Sequence, residues 1–281
     1  MPVRIVTDSS CDLESAEAND LGIEIVPLSI RFGADEYTDR VDLSIEEFYA
    51  KMADSPSLPE TAAPSPGSFD QAFRRQAEAG ADAVVCVILS AELSATMQAA
   101  QTAAKALEGE LDIRVIDSRS ISSGLGTIAR RAALAGREGA DASSVAELVD
   151  DLAARTHVVG TLDTLDNLKA GGRIGGAKAL VGSLLSIKPM VDISSGAVEE
   201  AGRARTRRKA LEWLRDTLFE QPAVEDLVIV HGMAPDLDAM MALLEPKYRR
   251  DEIRVATIGP VIGTHAGPRV IGATWVEAPA S

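Results

Sequence analysis

The sequence predicts an α/β protein of two domains. Residues 1–155 are predicted to form a doubly wound parallel sheet, and residues 156–281 an α+β domain with a mixed or antiparallel sheet. In the first part, short apolar runs alternate with amphipathic helix patterns, which is typical of βαβ units. In the second part, Ser194-Ser195-Gly196-Ala197 joins two apolar segments as a hairpin turn, which favours antiparallel pairing.

The first domain is predicted element by element from these patterns. Gly22 ends the first helix, and Ser44 caps the second, with acidic residues in its first turn. A hairpin-like excursion covers residues 31–42, and a helix follows Ser94. Strands are predicted at residues 3–6, 23–30, 83–89 and 113–116, and the other helices at 12–21, 45–52, 125–135 and 145–154.

The second domain mixes hairpins with crossovers, which indicates a sheet that is not purely parallel. Residues 263–268, with two glycines and a proline, are predicted to form a turn. Strands are predicted at residues 158–162, 190–193, 198–204, 227–230, 253–258 and 271–276, and helices at 205–219 and 235–244.

Composition excludes several classes of protein. The chain has 281 residues and a net charge of −15, so a nucleic-acid partner is not expected. Its two cysteines, Cys11 and Cys86, are far apart, which fits a reducing, cytoplasmic setting. We expect no signal peptide and no transmembrane segment. Aromatic residues make up 4% of the chain, so any apolar pocket should be lined by aliphatic side chains.

A glycine-rich stretch, Gly171-Gly172-Arg173-Ile174-Gly175-Gly176, interrupts two helix patterns between residues 161 and 192. Each glycine inside a helix costs about 1 kcal/mol relative to alanine, so this stretch is predicted to be a break. Its spacing approaches that of a phosphate-binding P-loop, but Ala177 stands where the lysine belongs. Beyond it, Ala179, Leu180, Leu184 and Leu185 predict an apolar helix.

Other motifs for cofactors or metals are weak. Residues 124–129 match the dinucleotide fingerprint G-x-G-x-x-A, but six residues separate them from the preceding strand, so the glycines are better explained by close helix packing. The three histidines, His157, His231 and His265, show no metal-ligand spacing. We therefore expect neither a cofactor nor a metal.

Three polar residues are candidates for an anion site. Ser94 is a candidate N-cap, and the first turn of a helix offers free N–H groups to an anion. Thr61 lies in a proline-rich segment, residues 55–68, whose position between two helix patterns favours a binding loop over a linker. His265 lies between glycines, where a water-exposed turn histidine is the simpler alternative. Spacing alone does not bring the three together.

The chain resembles the DegV family of fatty-acid-binding proteins almost from end to end. Six segments carry the resemblance in order: Val6-Thr7-Asp8-Ser9-Ser10-Cys11-Asp12-Leu13, Pro59-Glu60-Thr61-Ala62-Ala63-Pro64-Ser65-Pro66, Leu89-Ser90-Ala91-Glu92-Leu93-Ser94-Ala95-Thr96, Ile116-Asp117-Ser118, Leu168-Lys169-Ala170-Gly171-Gly172-Arg173-Ile174 with Ile187-Lys188-Pro189, and Gly263-Thr264-His265-Ala266-Gly267-Pro268. The departures from the family pattern are Ala62, Ala63, Ala95 and Ser186. Ala95 replaces a glycine that would leave a ligand more room.

The resemblance implies a long-chain fatty acid bound between the domains, with its carboxylate at Thr61, Ser94, Ala95 and His265. It further implies a carrier subunit without chemistry of its own. A separate ATP-dependent fatty acid kinase would phosphorylate the bound acid to an acyl-phosphate for phospholipid synthesis. Arg173 and, more weakly, Arg205 would lie at the surface where that kinase docks, and contact with a membrane surface would be transient.

Two other functions stay open at this point. A serine hydrolase could use Ser94 and His265, although neither an orienting third residue nor an oxyanion hole is visible in the sequence. A nucleotide-binding regulator could use residues 124–129 and would then show measurable affinity for a dinucleotide.

Overall fold

The computed structural model describes residues 2–180 and 187–279, except for the side chains of residues 179 and 180. Its strands are β1 Val3–Asp8, β2 Glu24–Val26, β3 Ser29–Phe32, β4 Asp35–Thr38, β5 Glu60–Ala62, β6 Ala83–Ile88, β7 Asp112–Asp117, β8 Thr156–Thr161, β9 Lys188–Asp192, β10 Glu199–Ala204, β11 Val224–His231, β12 Arg254–Thr257 and β13 Ile271–Glu277.

The α-helices follow the same chain order. They are α1 Ser15–Leu21, α2 Ile45–Asp54, α3 Pro66–Glu78, α4 Thr96–Ala106, α5 Ser122–Arg137, α6 Ala142–Arg155, α7 Asp166–Ala170, α8 Arg207–Glu220, α9 Leu237–Leu244 and α10 Pro260–Ala266. Short 3₁₀ turns occupy Ser9–Cys11, Gly175–Leu180 and Arg250–Glu252.

The first half of the chain forms a parallel sheet in the order β2-β1-β6-β7. Every residue of β6 is buried, as expected of a central strand whose two faces are both covered by helices. The second half forms a mixed sheet in the order β10-β9-β8-β13-β11-β12, in which β11 and β12 are parallel and the other neighbours are antiparallel. The predicted α/β fold, with a parallel sheet followed by a mixed one, is therefore confirmed.

The segment predicted as one strand at residues 23–30 is instead two strands in two different sheets. β2 pairs with β1 in the parallel sheet, whereas β3 pairs with β4 and β5 in a small antiparallel sheet. Pro27 lies between them, and it can neither donate a ladder hydrogen bond nor continue a central strand. The small sheet matters because β5 carries Thr61, which pairs opposite Ile30. The proline-rich segment is thus tied into the fold.

Helix α5 joins the two large sheets. It packs against β1 and β6 of the parallel sheet and against β8, β11 and β13 of the mixed sheet. A Cβ on Gly126 would lie 2.4 Å from the carbonyl oxygen of Cys11, and one on Gly124 would lie 2.9 Å from a methyl of Val158. These glycines therefore allow close packing, as predicted. One buried core spans both sheets, and the domain boundary at residue 155 stays a prediction.

Two glycine-rich segments behave differently. The glycine stretch breaks the chain after α7, as predicted, but only residues 171–174 lie outside helical turns, because Gly175 and Gly176 begin a 3₁₀ turn. Gly172 and Gly175 have positive φ of 70° and 47°. Residues 263–266 were predicted to lie in a turn, and that prediction was wrong, because they belong to α10, which Gly267 ends at a φ of 78°. The apolar helix predicted through Leu184 and Leu185 lies outside the described residues, as does Ser186.

Candidate functional site

A largely apolar cavity lies where elements of the parallel and mixed sheets meet. It holds about 850 Å³ of space, part of which is open to solvent. Leu89 directly follows β6, Ile121 precedes α5 and Val191 lies on β9, so both halves of the chain contribute to its wall. The remaining apolar side chains in the wall are aliphatic as well: Leu28, Ala63, Leu93, Leu162, Leu168, Ile193, Val198, Val261, Ile262 and Ala266. The low aromatic content predicted this kind of lining.

The wall also contains all four residues predicted to hold the carboxylate, three of them polar: Thr61, Ser94, Ala95 and His265. Thr61 lies on β5 and His265 in the last turn of α10, and their side chains make a 2.9 Å hydrogen bond between Oγ1 and Nε2. Ser94 and Ala95 lie just before α4. The fold therefore brings together three segments that are far apart in the sequence.

Ser94 is not the N-cap of its helix. The residue before α4 is Ala95, and it makes no side-chain cap. Ser94 Oγ instead accepts a 3.3 Å hydrogen bond from the Thr96 amide and lies 2.8 Å from the Thr96 hydroxyl. This local bonding fixes the Ser94 hydroxyl in the cavity wall, next to the start of an 11-residue helix.

His265 is neutral in this environment. Burial, reinforced by the positive charge of Arg173, lowers its pKa to about 4. Its Nδ1 is buried and has no hydrogen-bond partner within the described residues. A Cβ on Gly171 would lie 2.3 Å from that nitrogen, so the ring is packed against the glycine.

The hydrogen bonding of His265 indicates which ring nitrogen carries the proton. A buried N–H without an acceptor is rarer in folded proteins than a buried acceptor without a donor. We therefore assign the proton to Nε2, which donates it to Thr61 Oγ1. The hydroxyl hydrogen of Thr61 is then free to point into the cavity. The simpler alternative, a water-exposed turn histidine, does not describe this residue.

Arg173 lies in the wall of the same cavity. Its Nε donates to the carbonyl oxygen of Leu93 at 3.1 Å, and its Nη1 donates to that of Gly171 at 2.7 Å. The guanidinium thus links the segment before α4 to the glycine stretch. Sequence reasoning placed Arg173 at a docking surface and did not include it in the cavity wall. Arg205, the weaker candidate, is exposed after β10 and is not among the lining residues.

The glycine stretch is not a phosphate cradle. The amide of Gly171 donates to Asn167, that of Arg173 to Leu168 and that of Gly176 to Val198, so these N–H groups are used by the backbone itself. A serine hydrolase is not supported either. Among the described hydrogen bonds, Ser94 is joined to Thr96 and His265 to Thr61, so the nucleophile and the base are not paired.

Two further absences hold for the described part of the chain. Residues 2–180 and 187–279 contain no group of three or more His, Cys, Asp or Glu residues placed to hold a metal ion. Within the same ranges, the helices are too short or too polar to cross a membrane.

The fold and the cavity define an α/β protein whose two large sheets surround an aliphatic cavity with a polar end. Residues 2–278 match the family described as "Uncharacterised protein, DegV family", and the chain belongs to the DegV family. A DegV domain-containing protein of Halalkalibacterium halodurans is 32% identical over 277 residues, which are 97% of this chain and 98% of the relative.

Solved structures share the whole fold. A fatty-acid-binding DegV family protein from Thermus thermophilus matches with a TM-score of 0.90 at 30% identity, covering 99% of this chain and 100% of that one. A stearic-acid-binding protein from Eubacterium ventriosum matches with a TM-score of 0.85 at 27% identity, covering 98% of each chain. The structural neighbours thus include proteins that bind fatty acids.

Proposed function

We propose that this protein binds a long-chain fatty acid, with the acyl chain along the aliphatic wall of the cavity and the carboxylate at Thr61, Ser94, Ala95 and His265. The observation that carries the proposal is the combination of an aliphatic cavity with a polar end built on the Thr61–His265 hydrogen bond. The similarity of the whole chain to solved structures of fatty-acid-binding DegV proteins supports the same ligand class.

The acyl chain would supply most of the binding free energy. Burying about 15 methylenes at about 0.8 kcal/mol each gives about 12 kcal/mol before the costs of ordering the ligand. This gross gain is enough for tight binding. The wall offers branched aliphatic side chains from both halves of the chain, such as Ile121 and Val191, as the matching apolar surface.

The carboxylate would be satisfied by neutral donors, with one cation close by. A carboxylate left unpaired in an apolar site costs several kcal/mol, so it needs hydrogen-bond donors. The Thr61 and Ser94 hydroxyls are suitable donors, and the positive end of the α4 helix dipole lies beside them. Arg173 adds a positive charge in the same wall, whereas the sequence predicted only neutral donors around the carboxylate.

We further propose that the protein is a carrier that presents the carboxylate to a separate ATP-dependent fatty acid kinase in the cytoplasm. The product would be an acyl-phosphate for phospholipid synthesis, and Arg173 and Arg205 would face the kinase. Ser94 is hydrogen-bonded to Thr96 and His265 to Thr61, so this pair does not favour the hydrolase over the carrier. Contact with a membrane surface would be transient, for loading and unloading the fatty acid.

The ligand is tested by extracting the purified protein with organic solvent and identifying the extract by mass spectrometry. A stoichiometric long-chain fatty acid is expected, and it should be replaced by an added fatty acid during dialysis. The absence of any lipid, together with no uptake of added fatty acid, would contradict the proposal. Hydrolysis of a nitrophenyl ester that is lost in Ser94→Ala would instead favour the hydrolase.

The carrier role is tested with the kinase encoded by the same organism. Arg205→Ala should keep its bound fatty acid but be phosphorylated more slowly, because that side chain is exposed and lies outside the cavity wall. Arg173→Ala should also slow phosphorylation, and its fatty acid content must be measured in parallel because Arg173 lines the cavity. Normal phosphorylation of both variants would contradict the docking role.

A further inference from the structure

Helix α10, which carries His265, is anchored at its start by a residue from the opposite end of the chain. Asp12 follows β1 and its 3₁₀ turn and has a φ of 50°. Its Oδ1 accepts a 2.9 Å hydrogen bond from the amide of Gly259, the residue just before α10. Its Oδ2 accepts a 2.5 Å hydrogen bond from the Ser122 hydroxyl at the start of α5. One carboxylate therefore ties α10 to the helix that joins both sheets.

Asp12 and Gly259 approach each other closely. A Cβ on Gly259 would lie 2.8 Å from Asp12 Oδ1, so glycine permits the close approach of the carboxylate. The preceding carbonyl, that of Ile258, accepts a 3.1 Å hydrogen bond from the Tyr49 hydroxyl on α2. Further along α10, Gly263 packs against Phe48 and Tyr49, where a Cβ would lie 2.7 Å from the Tyr49 hydroxyl. The entry to α10 is thus fixed from two sides.

The cavity wall depends on where α10 lies. This seven-residue helix contributes Val261, Ile262 and His265 to the wall. Its rise per residue is about 1.5 Å, so His265 is within two turns of the anchored amide. A displacement at Gly259 is therefore transmitted directly to the histidine and to its bond with Thr61.

We propose that Asp12 is a positioning residue that fixes the start of α10 and thereby holds His265 in contact with Thr61. Asp12 does not line the cavity, so it acts through the helix and not through the ligand. The expected effect of Asp12 on ligand retention rests on the proposed fatty-acid site. Its expected effect on the position of His265 can be measured in protein without ligand and does not depend on that function.

The test compares Asp12→Ala with Asp12→Asn. Alanine removes both acceptor oxygens. Asparagine keeps an acceptor for the Gly259 amide and gains a donor for the Ser122 hydroxyl. Asp141→Ala is a matched control, because Asp141 also accepts a backbone amide hydrogen bond at a helix start, from Ser144 at 2.8 Å, but it caps α6 and does not line the cavity.

Two readouts are measured on each variant. The first is the pKa of His265 in ligand-free protein, followed by NMR of the imidazole. In Asp12→Ala the looser helix should let water reach the ring, and this pKa should rise by at least about one unit from its value of about 4. The second is the dissociation rate of a fluorescent long-chain fatty acid, which should increase about tenfold. Asp12→Asn and Asp141→Ala should stay within about twofold of the wild type in rate.

Gly259→Ala tests the same contact from the other side. The new methyl group would push the Asp12 carboxylate away, so both readouts should change as in Asp12→Ala, and this variant also serves if Asp12→Ala does not fold. An unchanged His265 pKa in Asp12→Ala and Gly259→Ala would overturn the proposal, as would equal changes in Asp141→Ala. If the wild type binds no fatty acid, the proposed function fails, whereas the pKa readout still decides the role of Asp12.

Discussion

The Oγ1 of Thr61 lies 2.9 Å from the Nε2 of His265, although 204 positions separate the two residues in the chain. The threonine lies on a short strand inside the proline-rich segment, and the histidine lies on a short helix between β12 and β13. The bond therefore joins the first and second halves of the molecule at the polar end of the cavity. It also orients the threonine hydroxyl, since the imidazole N–H occupies one of its acceptor sites.

Breaking this hydrogen bond should weaken fatty-acid binding. Thr61→Val removes the hydroxyl at nearly constant volume, and His265→Ala removes its partner. In the proposed complex the Thr61 hydroxyl donates to the charged carboxylate, and such a hydrogen bond contributes about 1.5–3 kcal/mol. Losing that hydroxyl, or the histidine that orients it, should therefore raise the dissociation constant about 10- to 100-fold. The measurement is titration with a fluorescent fatty acid at neutral pH, with folding checked by circular dichroism.

His157→Ala is the matched control for the loss of a histidine. That ring stacks on Trp275 with centroids 4.9 Å apart and does not line the cavity. The affinity of His157→Ala for the fatty acid should therefore equal that of the wild type. Unchanged affinity in both Thr61→Val and His265→Ala would show that the carboxylate binds elsewhere.

Gly171→Ala should displace His265 without straining the backbone. The φ of Gly171 is −74°, which alanine adopts freely, but its Cβ would lie 2.3 Å from Nδ1 of the histidine. The ring must move, and the bond to Thr61 is lost. We expect a loss of affinity similar to that of His265→Ala, again measured by fluorescence titration.

Gly67→Ala, in helix α3, is the matched control for replacing a glycine. Its new methyl group causes no clash, because the nearest atom would be 3.6 Å away. It should bind the fatty acid as the wild type does. If Gly171→Ala also binds normally, the His265 ring is not held against this glycine.

Local patterns were sufficient for most elements of the fold. The capping box of α2, in which Ser44 and Glu47 bond each other's backbone, is visible in four consecutive residues. The turn residues Ser195-Gly196 likewise predict the hairpin of β9 and β10. Such signals work because the residues that form the structure are neighbours in the sequence.

Other features depend on distant contacts. The fold keeps Gly263 inside α10 because Tyr49 and Phe48 occupy the space that a side chain would need. Nothing in the local sequence distinguishes this glycine from one in a turn. Likewise, Arg173 reaches the cavity wall because Leu93, 80 positions away, accepts its hydrogen bond. Local sequence made Thr61, Ser94 and His265 candidates for an anion site, but only the resemblance to known family motifs implied that they share one site.

Gly126→Ala distinguishes helix packing from nucleotide binding in the fingerprint-like stretch of α5. The Cβ would lie 2.4 Å from the backbone oxygen of Cys11, which cannot rotate away. Overpacking of this kind typically costs about 1–3 kcal/mol, so the variant should unfold at lower denaturant concentration. Wild-type stability in Gly126→Ala, or binding of a dinucleotide by the native protein in calorimetry, would contradict the packing role.

Asp39→Asn should make the protein more stable at pH 8 but not at pH 4. Asp39 is 1% exposed, and burial raises its pKa to about 6, with Asp8 adding to the effect and Ser9 and Arg40 opposing it. In the unfolded chain this carboxyl ionises near its ordinary value of 3.8. Between these values the folded state binds the extra proton, so the free energy of unfolding falls as the pH rises.

Asparagine removes the ionisation. The free energy of unfolding of the variant, relative to that of the wild type, should therefore rise by on the order of 3 kcal/mol between pH 4 and pH 8. Urea titrations of both proteins at each pH measure this difference. Asp42→Asn gives the opposite sign, because the Thr38 amide lowers the pKa of that exposed carboxyl and stabilises its charged form. A stability difference between Asp39→Asn and the wild type that does not change with pH would show that Asp39 ionises normally in the folded protein.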